Sequence, residues 1–344
     1  MKLAEDVYGL DRSQMILPKG LELTDRTITR LAFYSIVDVL VEGEEPALSP
    51  HPEQPYLERL RQSPEFQEFK AHFEDAAGHF KDTINEVVRH ERSLNAEEIM
   101  GPVYDLIESG DNPSSIFDML HNLRSYDDAT YTHSVNVALI ANVLGKWLGM
   151  STDELVILTQ AGLFHDIGKL MVPEEIITKP GKLTDEEFTI VKQHTKRGYE
   201  ILRKSDVSIH VKNAALMHHE RCDGFGYPLH LRGPQIDFYA KCISISDVYD
   251  ALTSARCYRG PLCPFVAIQL IENEGLQRYD PRAIMTFLSN IINTHLMNNV
   301  RLSDGREGTV VYINRNSLSR PTVQIGDEFL DLSKNPDITI EAIL

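Results

Sequence analysis

The most constraining feature of this 344-residue chain is an apolar helical run that ends in a polar pair. The run reaches Leu163 and Phe164 and is followed at once by His165 and Asp166. An ionised aspartate cannot lie deep in a helical bundle unless a cation or strong hydrogen bonds compensate its charge. The chain is therefore expected to fold around a buried polar cluster that holds a cation.

A second dense cluster spans residues 218–228, where two histidines precede Glu-Arg-Cys-Asp-Gly-Phe-Gly-Tyr-Pro. His133 lies on an apolar helix, His194 lies within another, and Asp247 interrupts a third apolar run. Imidazole and carboxylate are the groups that bind divalent first-row metals. This many ligand-type residues favour a shared metal cluster over separate hydrogen-bonded core histidines. The candidate ligands are His133, His165, Asp166, His194, His218, His219 and Asp247.

The chemistry of this ligand set indicates a multi-metal hydrolase. Thiolates, which structural zinc sites prefer, are too few, so iron or manganese is expected first, with zinc or nickel as alternatives in a purified sample. An aspartate such as Asp166 can bridge two ions, which would activate a water for attack on a phosphoryl group. Lys169 follows Asp166 by three residues, so its ammonium is expected near the same pocket, where it could hold a phosphate oxygen.

The overall charge restricts the partners of the chain. Its 34 basic and 51 acidic residues give a formal net charge of −17, which repels long nucleic acids. No apolar run approaches the roughly 20 residues that span a bilayer, and the N-terminus lacks the apolar stretch of a signal peptide. The expected location is the cytoplasm, without a membrane partner and with the four cysteines reduced.

Element patterns predict a mainly α fold with a small β-containing module at each end. We expect an α+β module over residues 1–43, a linker and helical segment over 44–112, a helical bundle with the ligands over 113–298 and a β module over 299–344. Four phenylalanines between residues 66 and 80 have near-helical spacing and are expected to pack in a core.

Several helix boundaries can be predicted within the bundle. Ser151 with Glu154, and Thr184 with Glu187, have the spacing of capping boxes, in which a Ser or Thr precedes a Glu by three residues. Further helices are predicted at about 207–220, 236–254, 264–274 and 281–296. The alternation of helices with short loops is typical of an all-α bundle.

Together, these motifs resemble the HD-GYP family, a branch of the HD phosphohydrolases whose members hydrolyse cyclic di-GMP. The resemblance implies an HD-type helical catalytic domain over residues 113–298, with the seven ligands named above. It implies catalytic roles for Asp166 and Lys169, and Glu220 is interpreted as a partner that orients a histidine. Contacts with the nucleotide are implied for Lys169, Asp250, Arg256, Arg259, Gly226 and Tyr227.

One departure from the family bears on the number of metal ions. Some members hold a third ion with a glutamate four residues before the first histidine, where this chain has Ala129. Two ions are therefore expected, with Asp166 between them. His133, His165 and Asp247 are assigned to one ion, and His194, His218 and His219 to the other.

The expected activity is hydrolysis of cyclic di-GMP to linear pGpG, with a second cut to GMP left open. The alternatives are hydrolysis of another cyclic dinucleotide, such as cyclic GMP-AMP, and a cyclic di-GMP sensor or interaction protein without turnover. The loop that ends in Gly226, Tyr227 and Pro228 is a candidate surface for signalling partners. A homodimer is also left open, and the sequence does not identify the regulatory input.

Overall fold

The computed structural model describes residues 2–4, 7–8, 15–21, 41–42, 60–90, 92–109, 113–123, 129–179, 181–254 and 262–344. The chain forms two compact units, residues 1–53 and residues 54–344. The finer division predicted from the sequence stays a prediction.

The first unit contains short antiparallel strand pairs. Strand β1 (Lys2–Leu3) pairs with β4 (Val41–Glu42), and β2 (Val7–Tyr8) pairs with β3 (Met15–Leu17). After β3 the chain turns through Gly20, whose φ of 77° lies in the left-handed region that glycine adopts without steric cost. The prediction of a β-containing N-terminal module is confirmed.

Helices make up most of the second unit. They are α1 (Pro64–Arg89), α2 (Ala96–Glu108), α3 (Pro113–Leu123), α4 (Ala129–Trp147), α5 (Thr152–Phe164), α6 (Glu174–Ile177), α7 (Asp185–Arg203), α8 (Ile209–Met217), α9 (Phe238–Thr253), α10 (Pro264–Glu274) and α11 (Pro281–Asn293). A 3₁₀ helix, Ile167–Met171, follows α5, and others span Gly233–Gln235 and Leu276–Arg278. The four later helices predicted from the sequence are confirmed to within three residues at each end.

Both predicted capping boxes are present. The backbone N–H of Ser151 donates to Glu154 at 2.8 Å, and that of Thr184 donates to Glu187 at 2.7 Å. The reciprocal bonds from the glutamate N–H groups to the hydroxyls measure 3.4 and 3.2 Å. Each cap is worth about 1 kcal/mol and fixes where its helix begins. The caps thereby set the phase of α5 and α7, the helices that carry His165 and His194 towards the site.

The core of the second unit is one continuous apolar cluster centred on α4 and α5. The predicted apolar face of α4 is almost wholly buried, and the four phenylalanines of α1 pack in the same cluster, with Phe69 fully buried. Their interpretation as packing residues is confirmed. Cys222, Cys242 and Cys263 carry free thiols. None of the helices in the described part of the chain has the length and apolarity that a membrane crossing requires.

The C-terminal segment forms a five-stranded antiparallel sheet with the order β8-β7-β6-β5-β9. Its strands are β5 (Asn299–Leu302), β6 (Glu307–Tyr312), β7 (Thr322–Ile325), β8 (Glu328–Asp331) and β9 (Ile340–Ile343). The carboxylate of Glu272 on α10 accepts hydrogen bonds from Leu318 N at 3.1 Å and Ser319 Oγ at 2.5 Å, which ties the sheet to the helices. The predicted C-terminal β module is confirmed.

Candidate metal centre

The helices bring all seven predicted ligands to one place. His133 lies in the first turns of α4 and Asp247 lies in α9. His165 and Asp166 follow the end of α5, His194 lies in α7, and the pair 218–219 follows the end of α8. Residues that are far apart in the sequence therefore meet where the ends of two helices face the sides of three others.

The ligand atoms form two clusters. The first donor group consists of His133, His165 and Asp247, and the second consists of Asp166, His194, His218 and His219. Within each group, one ligand atom per residue lies within 4.8 Å of all the others. The grouping coincides with the expected division of ligands between two ions, while metal binding itself stays a prediction.

The carboxylate of Asp166 lies between the two groups. Its Oδ2 is 3.2 Å from His165 Nε2 and 3.5 Å from His133 Nε2. Its Oδ1 is 3.3 Å from His194 Nε2 and 3.6 Å from His218 Nε2. Because each oxygen faces a different set of imidazoles, Asp166 has the geometry of a bridging ligand.

The outer nitrogens of these histidines are held by acceptor oxygens. His133 Nδ1 lies 2.7 Å from Asp250 Oδ2, and His165 Nδ1 lies 2.7 Å from the Gly162 carbonyl. The Nδ1 atoms of His194 and His218 lie 2.6 and 3.0 Å from the carbonyls of Val191 and Ala214, respectively. An Nδ1 that faces an acceptor carries the proton, so the Nε2 lone pair is aimed at the centre, as in metal-binding histidines.

In this arrangement, the Nε2 lone pairs of the histidines face the carboxylate oxygens of Asp166, so hydrogen-bond acceptors face other acceptors. His165 Nε2 and Asp166 Oδ1 are buried and have no hydrogen-bond partner among the described residues. Lone pairs that face each other at 3.2–3.6 Å repel, and burial without a partner carries a desolvation cost. Divalent cations between these atoms would satisfy both donor groups at once, and the mixed imidazole and carboxylate chemistry suits them. The residues present therefore fit the expected metals.

The carboxylates of the centre remain ionised despite their burial. Burial alone would raise the pKa of Asp166, but the nearby His165 and Lys169 charges and hydrogen bonds from histidines outweigh it and hold that pKa well below its usual range. For His133, burial would lower the pKa, but its hydrogen bonds to Asp166, Asp247 and Asp250 raise it well above the usual value. The first donor group thus attracts positive charge strongly.

The second donor group behaves differently. Burial lowers the pKa of His194 to about 4, and desolvation also holds the pKa of His219 well below its usual value. Both imidazoles are therefore neutral near pH 7, which is the state that a metal ligand requires.

A close backbone contact holds the two groups together. A Cβ atom on Gly168 would lie 1.9 Å from the carbonyl oxygen of His194 and 2.5 Å from the amide nitrogen of Gly198. Only glycine allows the 3₁₀ helix to approach α7 this closely. The contact fixes the separation of Asp166 from His194.

Lys169 lies at the rim of the centre, where it was expected. Its backbone N–H donates to the Asp166 carbonyl at 2.9 Å, which closes one 3₁₀ turn. The turn returns Lys169 Nζ to within 2.5 Å of Asp166 Oδ2. Because its side chain is about one quarter exposed, the ammonium faces both the centre and solvent.

Asp250 is buried beside His133. The residue is 1% exposed, and its carboxylate accepts hydrogen bonds from His133, Asn136 Nδ2 at 3.0 Å and Ser254 Oγ at 2.8 Å. Its place is behind His133, where it orients the imidazole, and the implied nucleotide contact stays a prediction. Asn136 was not among the residues predicted from the sequence, although a buried amide three residues after His133 shares its helix face.

Glu220 also has a different role from the one predicted. Its buried carboxylate accepts hydrogen bonds from the backbone N–H groups of Leu229 at 2.6 Å and Leu231 at 2.9 Å. These bonds join the two ends of the 218–231 loop. The interpretation of Glu220 as the partner of a histidine was wrong, because its contacts are to the loop backbone.

The same loop presents Tyr227 to the centre. A Cβ atom on Gly226 would lie 2.4 Å from Arg221 N, so glycine is required where the loop folds back on itself. The ring of Tyr227 stacks on His219, with centroids 4.7 Å apart. Burial, together with the charges of Asp166 and Asp247, raises the pKa of Tyr227, so its hydroxyl stays protonated as a donor.

Two predicted nucleotide contacts cannot be placed. Arg256 and Arg259 lie outside the described residues. Of the other predicted substrate residues, Lys169, Gly226 and Tyr227 lie around the donor groups, and Asp250 lies behind them.

Residues 118–283 match the family model of the HD domain. A cyclic di-GMP phosphodiesterase of Pseudomonas aeruginosa is 36% identical over 62% of this chain and 51% of its own length. One from Thermotoga maritima is 36% identical over 50% of this chain and 48% of its own. These relatives confirm the HD-GYP resemblance.

Other comparisons extend the likeness. A 3'3'-cGAMP-specific phosphodiesterase of Vibrio cholerae is 40% identical over 42% of this chain and 34% of its own length. The chain spans about half the length of the first curated relatives it matches. A solved HDG"Y"P protein of Bdellovibrio bacteriovorus has a TM-score of 0.50 at 16% identity, over 85% of this chain and 95% of that chain, and shows the fold alone.

Proposed function

We propose that this chain is a metal-dependent phosphodiesterase that opens cyclic di-GMP. The observation that carries the proposal is the pair of donor groups that share Asp166, with their Nε2 lone pairs aimed at the centre. Such an arrangement suits two divalent ions, with iron or manganese as the first choice. The relatives named as cyclic di-GMP phosphodiesterases support this substrate class.

The seven ligands would hold the two ions in their two donor groups, with Asp166 shared. Two divalent ions in such a site supply Lewis acidity and an activated water for displacement at phosphorus. Asp250 keeps the His133 lone pair directed inwards, and the backbone carbonyls do the same for His165, His194 and His218. The chain's own contribution is thus a rigid set of oriented imidazoles around one shared carboxylate.

Around this set, the remaining residues would bind and orient the substrate. Lys169 pairs with a non-bridging oxygen of the scissile phosphate, where its charge offsets the charge that develops during attack. The oxygen of water bonds to phosphorus, the bond to the ribose 3′ oxygen breaks, and that oxygen takes up a proton. The product is linear pGpG, and a second cut of the same kind gives GMP. Arg256 and Arg259 are proposed to grip phosphate or guanine edges in a bidentate manner.

The identity of the bases needs a direct comparison. One Vibrio cholerae relative is named as specific for 3'3'-cGAMP, so a substrate panel must contain both cyclic dinucleotides. We expect turnover of cyclic di-GMP to exceed that of cyclic GMP-AMP. A higher kcat/KM for the mixed dinucleotide would instead identify it as the substrate.

The test uses purified full-length chain loaded anaerobically with iron or manganese. Chromatography should show conversion of cyclic di-GMP to pGpG, and an Asp166→Ala variant prepared in the same way should show none. Folded, metal-loaded protein that binds cyclic di-GMP without forming product would indicate a sensor. No turnover with either metal would contradict the enzymatic proposal.

A further inference from the structure

An exposed phenylalanine lies beside the candidate centre. Phe188, in the first turn of α7, is 45% exposed even though its ring contacts Tyr227, with centroids 6.1 Å apart and an interplanar angle of 81°. A ligand that covered this ring would remove apolar surface that the fold leaves in water. An exposed aromatic ring beside a candidate nucleotide site can stack on the face of a base.

A lysine lies over the same two rings. Lys192 follows Phe188 by one helical turn, and its Nζ is 5.0 Å from the Phe188 ring centroid and 5.9 Å from that of Tyr227. Within the described part of the chain, no carboxylate forms an ion pair with Lys192. By contrast, Lys179, which precedes α7, forms an ion pair at 2.7 Å with Glu187 of α7. In a chain with 51 acidic residues, Lys192 thus keeps its charge available to an anion.

Phe188, Lys192 and Tyr227 together form a surface that we name the aromatic–lysine shelf. The shelf adjoins the second donor group, because Tyr227 stacks on His219 at 4.7 Å. Lys169 contacts Asp166 Oδ2, the oxygen that faces the first donor group. Lys169 thus contacts Asp166 directly, whereas the shelf contacts the centre through His219.

We infer that the aromatic–lysine shelf binds the half of the cyclic dinucleotide that is not being cleaved. The inference rests on the proposed function and deepens it. A cyclic dinucleotide has two purines and two phosphodiesters, of which only one phosphate reacts at a time. Lys192 pairs with the second phosphate, and one purine stacks on the exposed ring of Phe188, since aromatic side chains accept any base on its face.

The charge of the protein makes a dedicated cation necessary. A net charge of −17 disfavours an uncompensated second phosphate at the surface. Bound metals would compensate the scissile phosphate, and Lys192, which forms no ion pair with a described carboxylate, would compensate the other. The shelf therefore selects substrates with a second phosphate and a base over simple phosphodiesters.

The test compares two substrates in the manganese-loaded full chain. One is cyclic di-GMP, and the other is bis(p-nitrophenyl) phosphate, a diester with one phosphate and no purine. Lys192→Gln and Phe188→Leu should each raise the KM for cyclic di-GMP about ten-fold, with a much smaller effect on the simple diester. Phe188→Tyr, which keeps the ring, should retain the wild-type KM. Lys196→Gln removes an equal charge from an exposed position one turn further along α7 and is the matched control.

Equilibrium binding provides a second readout. Calorimetry with a phosphorothioate analogue of cyclic di-GMP should show the same ten-fold weakening in Lys192→Gln. Equal losses with both substrates would indicate a structural role and overturn the inference, as would unchanged KM and affinity in both shelf variants. Wild-type protein that cleaves the simple diester but no cyclic dinucleotide would contradict the proposed function instead, and the calorimetry would then decide the role of the shelf separately.

Discussion

The two donor groups use the same kinds of ligand but differ in charge. The first has Asp247 and the shared Asp166 close to His133, and the carboxylate of Asp250 stands behind that imidazole. The second shares only Asp166 and otherwise consists of three histidines. Carboxylates near a ligand histidine increase its basicity, whereas a backbone carbonyl has a weaker effect. The two donor groups therefore differ in negative charge although they share one carboxylate.

The protonation of the histidines reflects this difference. Neighbouring carboxylates raise the pKa of His133 despite its burial, whereas burial lowers the pKa values of His194 and His219. The first group therefore attracts positive charge, whereas His194 and His219 of the second group stay neutral near pH 7. We expect the first group to bind its ion more tightly and to lose it last during chelation.

The largest effect is expected from Asp166→Ala, which removes the shared ligand from both groups. Both ions should be lost and turnover abolished. Without the shared carboxylate, nothing would offset the repulsion between two cations held close together. Metal analysis by mass spectrometry and the pGpG assay measure the two effects. Asp153→Ala, an exposed change on the preceding helix, should leave both unchanged. Retained metal and activity in Asp166→Ala would show that the groups do not depend on a common bridge.

Gly168→Ala tests the backbone contact that holds the groups together. The new Cβ would clash with the His194 carbonyl, so we expect a loss of about 3 kcal/mol in the free energy of unfolding and a weaker second group. Urea unfolding of metal-free protein measures the first effect, and metal content the second. In Gly78→Ala, an exposed helical position with open space, stability should instead increase by about 0.5–1 kcal/mol. Equal stability of the two variants would contradict the role of the contact.

Lys169→Ala separates substrate activation from metal binding. Because Lys169 is not a ligand, both ions should remain, while turnover falls by about 10²–10³-fold through loss of charge stabilisation at the phosphate. Metal content and single-turnover rates are measured on the same preparation. Lys146→Ala, at the exposed end of α4, is the control. Loss of metal from Lys169→Ala would mean that the lysine supports the first group rather than the substrate.

Asp250→Asn should lower the metal affinity of the first donor group alone and thereby tests the difference between the two groups. We expect its ion to bind about 10–100-fold less tightly, since the partner of His133 loses its charge, while the second group is unchanged. Stepwise chelator titration followed by metal analysis should then show the order of loss reversed. Asp237→Asn alters a similar pair with His210, at 2.8 Å, outside the centre and should not change that order. An unchanged order in Asp250→Asn would refute the proposed inequality of the groups.

Local patterns predicted the helices and the position of most candidate ligands. The capping boxes at Ser151 and Thr184 each involve only four consecutive residues, so they could be predicted without knowledge of the tertiary fold. The ligands could be named because histidine and aspartate within apolar runs conflict with burial unless something compensates them. Their grouping around Asp166 followed from the family resemblance rather than from spacing.

Hydrogen-bond partners that lie far apart in the sequence could not be predicted in the same way. Asp250 and Glu220 are both buried carboxylates near ligands, yet one orients His133 and the other joins a loop. Nothing in their local sequence distinguishes these roles, because each partner depends on how the elements pack. Phe188 and Lys192 likewise have the pattern of an ordinary helix surface, and only their proximity to Tyr227 gives them a proposed role.

The placement of the ligands on separate helices affects which residues evolution preserves. Donors spread from residue 133 to residue 247 meet at one point, so a bound cation acts as a reversible cross-link whose strength depends on its free concentration. A hundred-fold excess over the dissociation constant adds about 2.7 kcal/mol to the free energy of unfolding. Selection can therefore preserve these histidines and aspartates through stability alone. A descendant of this domain could lose turnover while keeping every ligand. An intact ligand set would then reflect the stability that the cation gives to the fold, and not catalytic activity.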